Sequence, residues 1–146
     1  MGDDFSLYCE LILKGELFMK IEHIALWVND LEQMKEFYCN YFNGVANQKY
    51  VNPIKGFSSY FIQFDDGARL ELMNSTTMKL LPVQTVATCG FIHLACSVGG
   101  KHQVDELTSR LRDAGVTILG EPRVTGDGYY ESVILDPEGN QLEITI

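Results

Sequence analysis

The stretch "PEGNQLEITI", residues 137–146, repeats the pattern of "DDGARLELMN", residues 65–74. In both, an acidic residue and a glycine precede a short strand-like run. In both, a glutamate stands inside that run: Glu71 between Leu70 and Leu72, Glu143 between Leu142 and Ile144. A carboxylate among such neighbours is costly to bury without a partner, so each glutamate calls for one.

The likeness extends outward. "HIALWV" from His23 and "HLACSV" from His93 are strands with alternating faces, each opening on a histidine. A helix follows each. Leu31, Met34, Phe37, Tyr38, Tyr41 and Phe42 recur at helical spacing in the first, with Asn29 or Asp30 as its cap and Gly44 as its C-cap. Val104, Leu107, Leu111 and Ala114 do so in the second, which stops at Gly115. "GFSSYFIQF" then echoes "GYYESVIL", and Gly67 and Gly139 mark hairpin turns. The chain is therefore one unit written twice, spanning 19–74 and 90–146, with residues 75–89 as linker. Each unit reads strand, helix, three strands. The expected fold is α+β: paired βαβββ modules forming a curved mixed sheet with helices on its outer face.

Strand alternation assigns the faces. Ile24, Leu26 and Val28, with Leu70 and Leu72, take the side that meets the first helix. His23, Ala25 and Trp27, with Arg69, Glu71 and Met73, take the other. The second module divides likewise, setting His93, Ala95 and Ser97 beside Gln141, Glu143 and Thr145. Two imidazoles and two carboxylates converging on a concave face form a divalent-metal site, with the metal supplying the charge that makes the glutamates tolerable. The mixed N/O set suits one zinc or nickel ion per site, with cobalt, manganese or iron as further options. Arg69, two residues from Glu71, is expected to pair with it. His102, at a helix start, is read as solvent-exposed.

Composition bounds the partners. The net charge is −9, which argues against a nucleic-acid surface and against an anionic membrane. No apolar run approaches the roughly 20 residues of a membrane span. Cys9, Cys39, Cys89 and Cys96 form no C-x-x-C pair; they read as free thiols in the cytoplasm. Residues 1–18 read as a translated leader, because Met19 opens a natural domain start and Lys14–Glu16 can be encoded by a ribosome-binding sequence. A short amphipathic helix is the alternative reading.

At "IEHIALWVNDLEQMKEFY", "GARLELM", "GFIHLACSV" and "VILDPEGNQLEI" the sequence resembles the vicinal oxygen chelate superfamily, which contains glyoxalase I, bleomycin-binding and fosfomycin-resistance proteins and extradiol dioxygenases. The resemblance covers 19–146. It implies His23, Glu71, His93 and Glu143 as metal ligands. A second-position glutamate in that set looks like small bacterial glyoxalase I. The implied activity is a metal-dependent lyase or isomerase acting on a 2-oxoaldehyde–thiol adduct or a similar substrate with neighbouring oxygens. Glu143 and Glu71 would be its base and acid. Trp27, Arg69, Met73 and one of Tyr129 and Tyr130 would line the substrate pocket. The alternative is a binding or resistance protein that sequesters a small molecule between subunits. A homodimer is expected, with each site built within one chain or across two. Trp27 and Ser75 stand where glutathione-using relatives tend to carry arginine and asparagine.

Overall fold

The computed structural model describes residues 20–79 and 90–146. The leader reading, Cys9, Cys89 and most of the 75–89 linker lie outside the described residues. The elements run β1 (His23–Trp27), α1 (Leu31–Phe42), β2 (Val45–Ala46), β3 (Tyr50–Asn52), β4 (Phe57–Gln63) and β5 (Arg69–Ser75) in the first module. The second has β6 (His93–Ser97), α2 (Lys101–Asp113), β7 (Ile118–Val124), β8 (Tyr130–Leu135) and β9 (Gln141–Thr145). No helix among the described residues is long and apolar enough to cross a membrane.

The repeat is realised strand for strand. In each module the histidine strand pairs in parallel with the last strand, His23 opposite Arg69 and His93 opposite Gln141. The remaining pairings are antiparallel, which makes both sheets mixed. Their orders are β1-β5-β4-β2, with β3 also on β4, and β6-β9-β8-β7. They are two separate sheets, without a hydrogen-bonded edge in common among the described residues. The second strand of the first module is split. Between its halves Asn47 stitches the gap, its N–H donating to the Phe61 carbonyl and its side-chain oxygen accepting from the Phe61 N–H.

The apolar faces pack as alternation requires. Val28, Leu70, Leu72, Ile62, Ile134, Leu142 and Ile144 are buried together with Leu31, Met34, Phe37 and Tyr38 of α1 and Val104, Leu107 and Leu111 of α2. Each such aliphatic side chain contributes about 1.5–3 kcal/mol when fully buried. Asp30 caps α1, its carboxylate accepting from the Gln33 N–H at 2.9 Å. At the other end the left-handed residue is Asn43 (φ 54°), one place before the expected Gly44. Gly44 serves a different need: a Cβ there would stand 2.4 Å from Ile62 Cγ2. Gly67 and Gly139 take positive φ in the β4–β5 and β8–β9 turns, as the sequence predicts.

The turn "DPEGN" also joins the modules. Asp136 is nearly fully buried, and its carboxylate accepts from the Glu138 and Asn140 N–H groups, the Asn140 amide and the Tyr38 hydroxyl of α1, at 2.8–3.0 Å. Burial, and then the Asp136 charge, push the Tyr38 phenol far above its usual range, so it stays a donor. Glu138 reaches the N-terminus of α1 and accepts from the Asn29 and Asp30 N–H groups at 2.6–2.8 Å. One module thus caps the other's helix.

Candidate metal centre

The candidate donors sit on the sheet faces turned away from the helices. Glu71 has Ala25 as its register partner on one side and Phe61 on the other. Glu143 has Ala95 and Val133. The small alanines leave a gap that the histidine two residues earlier leans across. His23 Nε2 lies 3.8 Å from Glu71 Oε2, and His93 Nε2 lies 3.2 Å from Glu143 Oε2. Each glutamate thus faces one histidine across the gap, close enough for both to reach a common ion. Both carboxylates are mostly covered, with side-chain exposures of 15% and 19%.

The result is two histidine–glutamate pairs rather than one cluster of four. Among the described residues no three or more histidine, cysteine or acidic side chains come together as a metal-binding group within the chain. Convergence expected from strand faces therefore stops at the module, because the two sheets do not join into one. Each pair still offers an imidazole nitrogen and a carboxylate oxygen to the same face. That N/O chemistry fits half the coordination of a zinc-like or nickel-like ion. A cleft of about 840 Å³ lies between the modules on the helix side, lined by Tyr38, Phe42, Leu94, Cys96 and Arg110 among others. None of the four candidate donors lines it.

Around His23 the first module builds a fuller environment than its repeat does. Arg69 pairs with Glu22 and not with Glu71: its Nε donates to Glu22 Oε1 at 2.8 Å, and Nη2 reaches the same oxygen. The pairing follows from register, since Arg69 lies opposite His23 and next to the residue before it. The other Glu22 oxygen meets His23 Nδ1. The His23 contact, and then Arg69, hold the Glu22 carboxyl below its usual range. Phe61 floors the group, with the His23 ring edge-on at 5.3 Å and the Arg69 guanidinium 4.3 Å above it. Glu22 precedes β1 and carries no periodic signal of its own, so the sequence alone does not single it out.

Beyond this lies an aromatic wall. Trp27, the single tryptophan, is 55% exposed with Met73 as its register partner. Its ring meets Phe57 edge-on at 6.1 Å, and Tyr50 packs on Phe57 at the same distance. Asn74, adjacent to the position where glutathione-using relatives carry asparagine, donates to the Val28 and Asn29 carbonyls and so holds the end of β1. Of the two tyrosines, Tyr130 turns to the helix side. Its hydroxyl donates to Asp105 at 2.7 Å and its ring lies under Lys101. Register with β9 sets that parity, since Val133 lies opposite Glu143 and Tyr130 is three residues away on the alternate face. Tyr129 stands half-exposed just before β8. His102 is exposed, as expected, and faces Glu106 at 3.8 Å. Burial pushes the Cys96 thiol up to about 11, which keeps it protonated and unreactive at neutral pH.

Comparison with known proteins gives one family. The family model of the Glyoxalase/Bleomycin resistance protein/Dioxygenase superfamily matches residues 20–144. An uncharacterised protein of Bacillus subtilis, YqjT, is 28% identical over 127 residues, covering 85% of this chain and 96% of its own. Among solved structures, a maize glyoxalase I mutant superimposes with a TM-score of 0.72 at 22% identity, over 86% of this chain and 44% of its own. The present chain thus spans under half of the maize chain's length. A trypanothione-dependent glyoxalase I of Leishmania major matches with a TM-score of 0.68 at 21% identity, over 88% of this chain and 86% of its own. At these identities the structural matches speak for the fold.

Proposed function

Because the chain belongs to the Glyoxalase/Bleomycin resistance protein/Dioxygenase superfamily, we propose that it is a divalent-metal-dependent lyase or isomerase of the glyoxalase I type, working as a homodimer. The observation that carries this reading is the duplicated pair: His23 with Glu71 and His93 with Glu143, at 3.8 and 3.2 Å on matching strand faces. Each pair is half of a four-donor set. A second copy of the chain completes it, the first module of one subunit facing the second module of the other. Exposed apolar side chains beside the histidine strands, Ile21, Trp27, Phe91 and Ile92, support a covered face.

A bound divalent ion would supply Lewis acidity toward neighbouring oxygens of the substrate. The remaining work falls to the chain. Glu143 or Glu71 takes a proton from one substrate carbon at a carboxylate oxygen and returns it to the next. Trp27, Met73 and Tyr129 orient the rest of a 2-oxoaldehyde–thiol adduct and exclude water. The aromatic wall favours a thiol carrying less charge than glutathione.

Subunit mixing tests the reading. A variant with His23→Ala and Glu71→Gln is combined with one carrying His93→Ala and Glu143→Gln, each inactive alone. Across-subunit sites predict that mixing restores one intact site per heterodimer, and with it zinc uptake and turnover of a methylglyoxal–thiol adduct. No recovery, with heterodimers verified, would overturn the shared site. Ligand retained in full after chelation of the metal would favour the binding-protein alternative.

A further inference from the structure

The repeat gives this inference an internal control. Position for position, Glu22 of the first module corresponds to Ile92 of the second, and Arg69 to Gln141. Both members of the Glu22–Arg69 pair are therefore present around His23 and both are missing around His93. Between the modules the histidine, the alanine gap and the glutamate are kept, while the Glu22–Arg69 pair is not; Phe61, beside Glu71, is likewise replaced by Val133 beside Glu143.

We propose that Glu22, anchored by Arg69, is a positioning residue that fixes His23 in the Nδ1–H form, so that its unprotonated Nε2 is held on the Glu71 side, while His93 stays the adjustable histidine of the set. This rests on the metal-site reading above and names how one half of that site is prepared. A carboxylate can only accept, so the contact between Glu22 Oε2 and His23 Nδ1 assigns the hydrogen to Nδ1. In the neutral ring Nε2 then keeps its lone pair, and it is Nε2 that faces Glu71. The second Glu22 oxygen is occupied by the Arg69 guanidinium, which keeps the carboxylate from rotating away. Phe61 contacts both the His23 ring and the guanidinium, so the two partners of Glu22 rest against one floor. A carboxylate behind a ligating histidine fixes tautomer and ring orientation and raises the ligand's basicity; losing such a partner typically costs 10- to 100-fold in metal affinity.

The experiment uses metal-free protein labelled with ¹⁵N in its three histidines, in which long-range ¹H–¹⁵N correlations report each tautomer. In the wild type, His23 should show the Nδ1–H pattern and His93 a mixture. Glu22→Ala should return His23 to a mixture, leave His93 and His102 unchanged, and weaken zinc binding by roughly 10- to 100-fold. Arg69→Ala should do the same to a smaller degree. The reciprocal variant, Ile92→Glu with Gln141→Arg, should impose the Nδ1–H pattern on His93. An unchanged His23 spectrum in Glu22→Ala overturns the proposal, as does undiminished zinc affinity once the tautomer is lost. Because the tautomer is read without metal, a wild type that fixes His23 yet takes up no zinc would sink the metal site and leave the positioning role standing.

Discussion

His93 Nε2 stands 3.2 Å from Glu143 Oε2 across the gap left by Ala95, and the first module repeats this pairing between His23 and Glu71 at 3.8 Å. A histidine and a carboxylate that already face each other need little rearrangement to hold a common ion.

Metal occupancy is therefore expected to depend on these side chains and not on the third histidine. Glu71→Gln and His93→Ala should lower zinc or nickel content far more than His102→Ala, since His102 faces Glu106 on the solvent side of α2. Elemental analysis of freshly purified variants checks this. Equal occupancy in all three would remove the assignment.

Substrate choice is expected to follow Trp27. Glutathione carries two carboxylates and needs cationic contacts, but Arg69 on this face is engaged by Glu22. Turnover of the glutathione–methylglyoxal adduct should be at least tenfold below a dedicated glyoxalase, about 1.4 kcal/mol or more of lost transition-state binding. Trp27→Arg should raise kcat/KM for that adduct at saturating metal. Efficient turnover by the wild type would show that the pocket finds its cation elsewhere.

Glu138 ties the second module to the start of α1 through the Asn29 and Asp30 N–H groups. Glu138→Ala should cost about 1 kcal/mol, since water replaces the carboxylate at an exposed helix end. Glu138→Gln should cost less, because one acceptor oxygen remains. Denaturant unfolding at fixed protein concentration measures both; a neutral Glu138→Ala would mean that the cap is dispensable.

A pH test falls on Glu32, whose carboxylate accepts from Lys35 at 2.6 Å, Lys49 at 2.9 Å and Tyr60 at 3.1 Å. Lys35 first, and then Lys49, lower its carboxyl from 4.5 to about 2. A lowered folded-state value stabilises above the unfolded value and loses that contribution as pH falls toward the folded one. The stability difference between wild type and Glu32→Gln should thus be full above about pH 5 and vanish between 4.5 and 2. Glu32 is half-exposed, so solvent and salt limit the difference to under about 1 kcal/mol. A difference that grows on acidification would contradict the assignment.

Much of the fold could be read locally. Alternation along a strand is a property of its own backbone, so the sides taken by His23, Glu71, His93 and Glu143 follow from "HIALWV", "ARLELM", "HLACSV" and "QLEITI" alone. Turn glycines and the α1 cap, narrowed to Asn29 or Asp30, act within a few residues and were legible in the same way. What required the tertiary structure were relations between segments distant in sequence. Register across β1 and β5 gave Arg69 to Glu22 instead of Glu71. Register between β8 and β9 sent Tyr130 to the helices. The turn at 136–140 supplied Tyr38 with its acceptor and α1 with its second cap. The division of the four donors into two pairs was likewise a tertiary outcome. Periodicity fixes which way a side chain points from its own strand, but the relative placement of two sheets depends on how their apolar faces and helices pack, and no local pattern encodes that.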